Sequence, residues 1–573
     1  MQVRNASQSS EGSHNMSRFR ILFLVPAFLF AAALGATNAD LILENGTIHT
    51  VDPDVALVEA VAIADGRIIA LGSKTAVDKF RTTQTQVIDL DGRFAMPGFN
   101  DAHVHLGNAA LRMLNVDLSE TTSLEDLKTR LAAEVPKRKP GQWIYGRGWD
   151  ESKWAGGRVP TRDELDAVTT THALFLERAD GHSAVLNSLA LQRAAIDRDT
   201  PDPAGGVIDR DATGRATGWL KEKAADQAFG LIPEPTRGQW RDGFLRAMHY
   251  ALENGVTSVQ DDTLRSPGQG KTAVSVLQEL HAEQALPIRI TVWLPFEAPL
   301  EELEKWRKEL GTSDRWLKAG LLKTNIDGSG GSLSAAMLEP YSSAPDNKGL
   351  LLLDPDTVTN MVVARDAAGF QIGIHAIGDR ANRVVLDAFD SAIRSNGRRD
   401  SRHRIEHAQF VNGADLERFR SLGVIASVQP SHLLTDLRWA PSLLGPQREA
   451  DAYRWKSFVD SGAHLCFGTD YPVEPIGPMR GLYAAITREF ESGGPPGGWH
   501  PDESLDMRAA IAAYTLEPAF AEFEETRKGT LTVGKLADIV VLARDITKLA
   551  PEDVLQTRVD ITIVEGQVAY RRH

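Results

Sequence analysis

Eight short apolar runs, separated by helical patterns through the middle of the chain, set the strongest limit on the fold. The first lies within residues 94–106 and ends in two histidines one residue apart, His103 and His105. Seven more follow at 256–260, 288–294, 320–326, 371–375, 403–407, 424–429 and 464–469. Helical patterns between them include 355–368, 380–395 and 414–422. Strands that alternate with helices pair in parallel through right-handed crossovers. Eight such units predict an α/β fold, a (β/α)8 TIM barrel.

The flanks read differently. Residues 40–96 carry β-like runs punctuated by Asn45-Gly46, Asp65-Gly66 and Asp91-Gly92. Hairpin turns are expected at the first two pairs, because glycine accepts positive φ. A matching pattern returns at 537–542, 560–564 and 567–570, the last two flanking Glu565-Gly566. Neither block makes a comfortable domain alone. Together, 40–96 and 526–573 predict a composite β-sandwich, with the barrel, 97–525, inserted between its halves. Between His105 and Val256 lie 150 residues, far more than one crossover helix needs. Residues 107–250 therefore read as an insertion after barrel strand 1, on the catalytic face, where it would shape substrate access.

Arg18 and Arg20 precede an apolar run at 21–34, and the small residues Ala36 and Ala39 follow. Residues 1–39 read as a signal segment, with Met16 as an alternative start. The run is short for a membrane span. The expectation is export to the periplasm or the medium, with cleavage and no stable membrane span afterwards. A net charge of -14 and no basic tract argue against a nucleic-acid partner. One cysteine, Cys466, excludes an intrachain disulfide and a thiolate zinc cluster. Any metal must be met by histidine, carboxylate or a modified side chain. Assembly is left open, a homodimer included.

Active sites of such barrels sit at the C-terminal ends of the strands. His103 and His105 share one face of strand 1, because strand side chains alternate. Strand 4 carries Lys323, strand 5 ends at His375, strand 6 at His407 and strand 8 at Asp470. Strands 2, 3 and 7 offer Asp261, Pro295 and Gln429. Four histidines, a lysine and an aspartate suit a metal site, not a Ser–His–Asp arrangement. A buried lysine amine can react with carbon dioxide to give a carbamate, whose two anionic oxygens would serve two cations. Asp470 could hold one metal and also take a proton from the attacking hydroxide. In the insertion, Trp149 and His182 are candidate substrate contacts, the indole as an apolar wall and the imidazole as a donor. Glu406 could orient a ligand from behind.

Eight motifs in order make the pattern specific. They are Pro-Gly-Phe-Asn-Asp-Ala-His-Val-His (97–105), Gly-Arg-Gly-Trp-Asp (146–150), Asp-Gly-His-Ser (180–183) and Lys-Thr-Asn-Ile-Asp-Gly-Ser (323–329). His-Ala-Ile-Gly-Asp-Arg-Ala-Asn (375–382), Arg-Ile-Glu-His-Ala-Gln (404–409), Gly-Thr-Asp-Tyr-Pro-Val (468–473) and Gly-Lys-Leu-Ala-Asp (534–538) follow. The chain resembles the amidohydrolase superfamily, in the amidohydrolase-3 branch that includes N-substituted formamide deformylases. The resemblance implies a barrel with a composite sandwich and one or two divalent ions, zinc or similar. It implies His103, His105, Lys323, His375, His407 and Asp470 as ligands, with Lys323 carboxylated. The stretch Lys-Thr-Asn-Ile-Asp departs from the more hydrophobic Lys-Leu-Phe-Ala-Asp of relatives. The expected reaction is hydrolysis of a non-peptide C–N bond in a small-molecule amide, by attack of a metal-bound hydroxide on the carbonyl carbon. A cyclic amidase is the nearest alternative. A non-catalytic binding or regulatory protein on the same fold is the alternative from another class.

Overall fold

The computed structural model describes residues 38–179, 182–265 and 269–572; the segment read as a signal lies outside them up to residue 37. Eight strands form one parallel sheet in chain order. Barrel strands 1 to 4 are Phe99–Val104, Val256–Asp261, Arg289–Pro295 and Leu317–Asn325. Strands 5 to 8 are Ile372–Ala376, Arg404–His407, Ile425–Val428 and Leu465–Phe467. Nearly every residue in them is buried, as a parallel sheet covered on both faces requires. The sheet closes on itself beyond strand 8, where Tyr471 bridges Val104. There the Asp470 N–H donates to the His103 carbonyl at 2.8 Å and the His105 N–H to the Tyr471 carbonyl at 2.7 Å. This closure needs Gly468, since a Cβ there would lie 2.6 Å from the His103 backbone nitrogen.

Two further sheets come from the chain ends. One runs in the order Arg67–Gly72, Ala60–Ala64, Leu41–Glu44, Gln86–Asp89. The other joins both termini: Ile539–Leu542 pairs with Phe94–Pro97 on one side and Val559–Val564 on the other. Leu41, Leu43, Ile63 and Ile88 of the first pack with Ile48, Ala95, Ile539 and Ile561 of the second in one core. Asp65-Gly66 and Glu565-Gly566 close hairpins, with Ala64 opposite Arg67 and Val564 opposite Gln567.

Asn45-Gly46 does not close the hairpin expected of it. Leu41–Glu44 pairs with Ala60–Ala64, whereas Thr47–His49 pairs with Phe94–Pro97 in the other sheet. Asn45 has φ 61°, and a Cβ on Gly46 would sit 2.5 Å from the Arg93 carbonyl oxygen. The dipeptide steps the chain from one sheet to the next. A turn sets local direction, and burial of the flanking apolar residues chooses their partners.

After strand 1 the chain forms helix Leu106–Leu114, and before strand 2 it returns through helix Arg237–Glu253. Both contribute to the barrel's core through Leu106, Ala109, Trp240, Phe244 and Ala247. Between them lies a six-stranded sheet, from Val116–Asp117 at one edge to Gly206–Arg210 at the other. It has separate apolar clusters around Phe175 and Leu220 and around Leu118 and Leu174.

Candidate metal centre

His103, His105, Lys323, His375, His407 and Asp470 all line one cavity of about 540 Å³ at the C-terminal ends of the barrel strands. Asp262 and His432 line it as well, and strand-end reasoning passed over both. Asp262 follows the last residue of strand 2. His432 lies in the first turn of helix Pro430–Asp436, just past strand 7. Asp261, expected at the end of strand 2, instead accepts the Leu106 N–H at 2.7 Å and the Thr263 hydroxyl at 2.8 Å, pinning the loop, while Gln429 at the end of strand 7 has its Nε2 3.3 Å from His103 Nδ1. Reading up to four residues past each strand end would have found the pair, because the chain still faces the cavity there.

Asp470 is the hub. Its Oδ1 lies 3.0 Å from His105 Nε2 and 3.7 Å from His103 Nε2. Its Oδ2 lies 3.6 Å from His432 Nε2. The rings of His375 and His407 meet edge-on at 4.4 Å between centroids, and His407 lies 5.2 Å from His103. Three buried nitrogens around this carboxylate, His103 Nε2, His407 Nδ1 and His432 Nε2, have no hydrogen-bond partner. A buried polar atom without a partner is destabilising unless a ligand satisfies it. Imidazole nitrogens and a carboxylate are the donors a zinc-like divalent ion takes, so the residues fit such an ion. His103, His105 and Asp470 present donor atoms within 4.8 Å of one another, and so do His407, His432 and Asp470.

Behind His103 stands a buried polar chain. Glu406 Oε2 lies 2.9 Å from His103 Nδ1, and Ser427 donates to the same oxygen at 2.7 Å. Arg404 donates to Glu406 Oε1 at 2.8 Å and to the Ala102 carbonyl at 2.8 Å. An ionised carboxylate only accepts, so His103 carries its proton on Nδ1 and turns a lone pair on Nε2 to the cavity. Burial opposes the charge on Glu406, but Arg404 and His103 outweigh it and hold the carboxyl down to about 2. The buried Trp293 indole packs edge-on against the His103 ring, 4.9 Å between centroids.

Electrostatics keep Asp470, His103, His375 and His407 in their ligating forms. Burial works against an ionised Asp470, yet His103, His105 and His407 hold it well below the usual carboxylate range. Burial and then the positive charge of Lys323 push His375 down to about 3. His103 and His407 are lowered too, chiefly by burial. His105 goes the other way: burial lowers it, and Asp470 more than compensates. Lys323 Nζ sits 3.6 Å from Asp262 Oδ2, and Arg265 donates to the same oxygen at 2.9 Å.

Backbone strain falls on the same residues. His407 has φ 73° and Asp470 φ 58°, in the left-handed region that side chains other than glycine rarely adopt. Both kinks lie where a strand ends and its side chain must face the cavity. Local strain of this kind persists where surrounding structure imposes it.

The Amidohydrolase family profile matches residues 86–570. The chain belongs to the amidohydrolase family. Protein LONG AFTER FAR-RED 3 of Arabidopsis thaliana is 35% identical to it, over 93% of this chain and 92% of that protein. The N-substituted formamide deformylase of Arthrobacter pascens is 27% identical, over 93% of this chain and 98% of its own. An uncharacterized metal-dependent hydrolase from Pyrococcus furiosus, known from its crystal structure, matches with TM-score 0.71 and 31% identity, covering 89% of this chain and 100% of the other.

This amidohydrolase does not bring Trp149 and His182 to the cavity; neither is among the described residues that line it. Trp149 is fully buried in the insertion. Its indole N–H donates to the Leu176 carbonyl at 2.9 Å and its ring packs on Trp154. The register of strand Trp143–Trp149 shifts between Arg147 and Trp149, and this indole joins Ile144 in the insertion's own core. His182 is exposed, with Nδ1 3.2 Å from Glu222 Oε2. Among the described residues, no helix is long and apolar enough to cross a membrane.

Proposed function

We propose that this amidohydrolase cleaves a non-peptide C–N bond of a small-molecule amide, using a divalent ion at the Asp470 centre. The observation that carries the reading is the set of partnerless imidazole nitrogens around one ionised carboxylate. His103, His105 and Asp470 hold the ion, and His375, His407 and Lys323 complete the donor set around the cavity. Imidazole and carboxylate donors favour zinc. A bound ion supplies Lewis acidity, which polarises a carbonyl and acidifies water. Asp470 accepts the proton of the attacking water at its carboxylate and returns it to the leaving nitrogen. Glu406 keeps the His103 Nε2 lone pair aimed at the centre. Lys323, whose amine is buried beside Asp262, would carry the carbamate. Residues 1–39 would direct export, and the N-terminus of the mature protein tests that point.

The A. pascens relative is named for formamides, which puts N-substituted formamides first on a substrate panel. N-acyl amino acids and cyclic amides follow. The expected result is at least one metal ion per chain and metal-dependent hydrolysis of one of these classes. Protein without bound metal and without hydrolysis of any class overturns the reading.

A further inference from the structure

The helix after strand 7 carries the cavity wall outward from His432. Thr435 and Asp436 follow that histidine at three and four residues, so the three side chains share one face of helix Pro430–Asp436. Four residues rise about 6 Å, which sets Asp436 one turn along the wall from His432. Trp439 continues the same wall just past the helix. Its indole lies against the loop that follows strand 4. A Cβ on Gly330 would sit 2.7 Å from the ring, and one on Gly331 3.6 Å. The bare Gly330 backbone is what lets the indole approach so closely.

The carboxylates of this cavity differ in how their charge is met. Asp262 has Arg265 at 2.9 Å and Lys323 at 3.6 Å. Glu474 has Arg480 at 2.7 Å, and Asp470 has the histidines. Asp436 is half-buried, and among the described residues no lysine, arginine or histidine pairs with it. Its Oδ2 accepts from the Gln409 amide at 2.8 Å and from the Tyr453 hydroxyl. These neutral donors favour the ionised form and fix the carboxylate, while among the described residues nothing donates to Oδ1. The Trp439 ring is also without a cation. Among the described residues no lysine or arginine stands over it, whereas Arg289 stands over Trp316 and Lys221 over Trp219.

An indole face and a free carboxylate oxygen on one wall are the two partners an ammonium group takes when it leaves water. An anionic group there would meet the Asp436 charge with nothing to offset it. We propose that Asp436 and Trp439 form a subsite for a cation, so that the amide cleaved carries a primary ammonium on the arm reaching away from the scissile bond. The inference rests on the amide reading above and narrows its substrate class to amides bearing an amine, such as mono-N-acylated diamines.

The test is calorimetric binding to full-length protein equilibrated with zinc. The probes are two N-butyl methanesulfonamides, which resist hydrolysis. One ends in an ammonium group, and the other has a methyl group in its place. Wild type is expected to bind the ammonium probe about 10–100-fold more tightly. Asp436→Asn is expected to abolish that preference and to bind the methyl probe as wild type does, which controls for folding. Trp439→Leu is expected to reduce the preference about threefold, the part owed to the ring. Equal affinities in wild type, binding of neither probe, or a preference that survives Asp436→Asn overturns the subsite. Hydrolysis separates the two readings. Turnover of neutral amides in preference to their ammonium counterparts overturns the subsite and leaves the metal-dependent reading intact. An ammonium preference that Asp436→Asn abolishes, in protein without metal or turnover, supports the subsite and overturns that reading.

Discussion

At the N-terminal ends of the barrel strands, Lys318 and Lys528 meet Glu522 and Glu524; at the C-terminal ends, Asp470 meets the histidines. Both clusters are buried. The lower one is complete. Lys528 lies 2.7 Å from Glu522 and Lys318 2.7 Å from Glu524, while Asn100 donates to Glu522 at 2.7 Å. Two cations face two anions, and none of their charged atoms lacks a partner. In the upper cluster three imidazole nitrogens stand without one. Each such atom costs about 1–3 kcal/mol in a folded protein. The ends of one barrel thus separate two uses of buried polarity. The paired cluster joins the C-terminal return to the barrel, and the unpaired one waits for a ligand.

The sharpest way to break the comparison is to disturb each end in turn. Asp470→Asn should lower turnover about 10³-fold, as for loss of a group that moves the proton, and should release metal. Its metal-free form should lose far less stability than turnover, a small drop in denaturation midpoint, because the carboxylate that raises His105 is gone. A large loss of stability there would make Asp470 a structural charge. Lys528→Met should do the reverse. Removing one partner of a buried pair costs about 3–5 kcal/mol, read as a lower denaturation midpoint, with metal content unchanged. Metal lost together with stability would mean that the two ends are coupled.

Glu406→Gln should have the smallest effect, since it acts through His103. Loss of a carboxylate behind a ligating histidine weakens metal affinity about 10–100-fold, which chelator competition measures. The variant also carries a pH signature. Glu406 sits near 2 in the fold against an ordinary 4.5, so it binds fewer protons folded than unfolded. Its contribution to stability is present above pH 4.5 and is lost as pH falls toward 2. Acid unfolding of Glu406→Gln should therefore slope less steeply than wild type across that window. Equal slopes would show that Arg404 does not hold the carboxylate ionised.

Much of this was legible before any coordinates. Buried parallel strands must be apolar on both faces, so the barrel runs stand out, and their observed bounds differ from the expected ones by a few residues. The strand-end rule then located six cavity residues. It missed Asp262 and His432 because the loop after strand 2 and the helix after strand 7, not the strands, carry them. It misjudged Asn45-Gly46 because a turn motif says nothing of which sheet receives the next strand. Trp149 looked like a substrate wall by its place in the insertion, but the register shift at the end of its strand turns it into the insertion's core.

The sequence by itself determined the alternation of strands and helices, the absence of thiolate ligands and the identities of the candidate donors. Tertiary structure decided which of those donors are left without partners. Glu406 takes His103 Nδ1 from 303 residues away, and Gly328 takes His375 Nε2 across 47. A lone pair is free only relative to its neighbours in space, and closing the barrel is what brings those neighbours together.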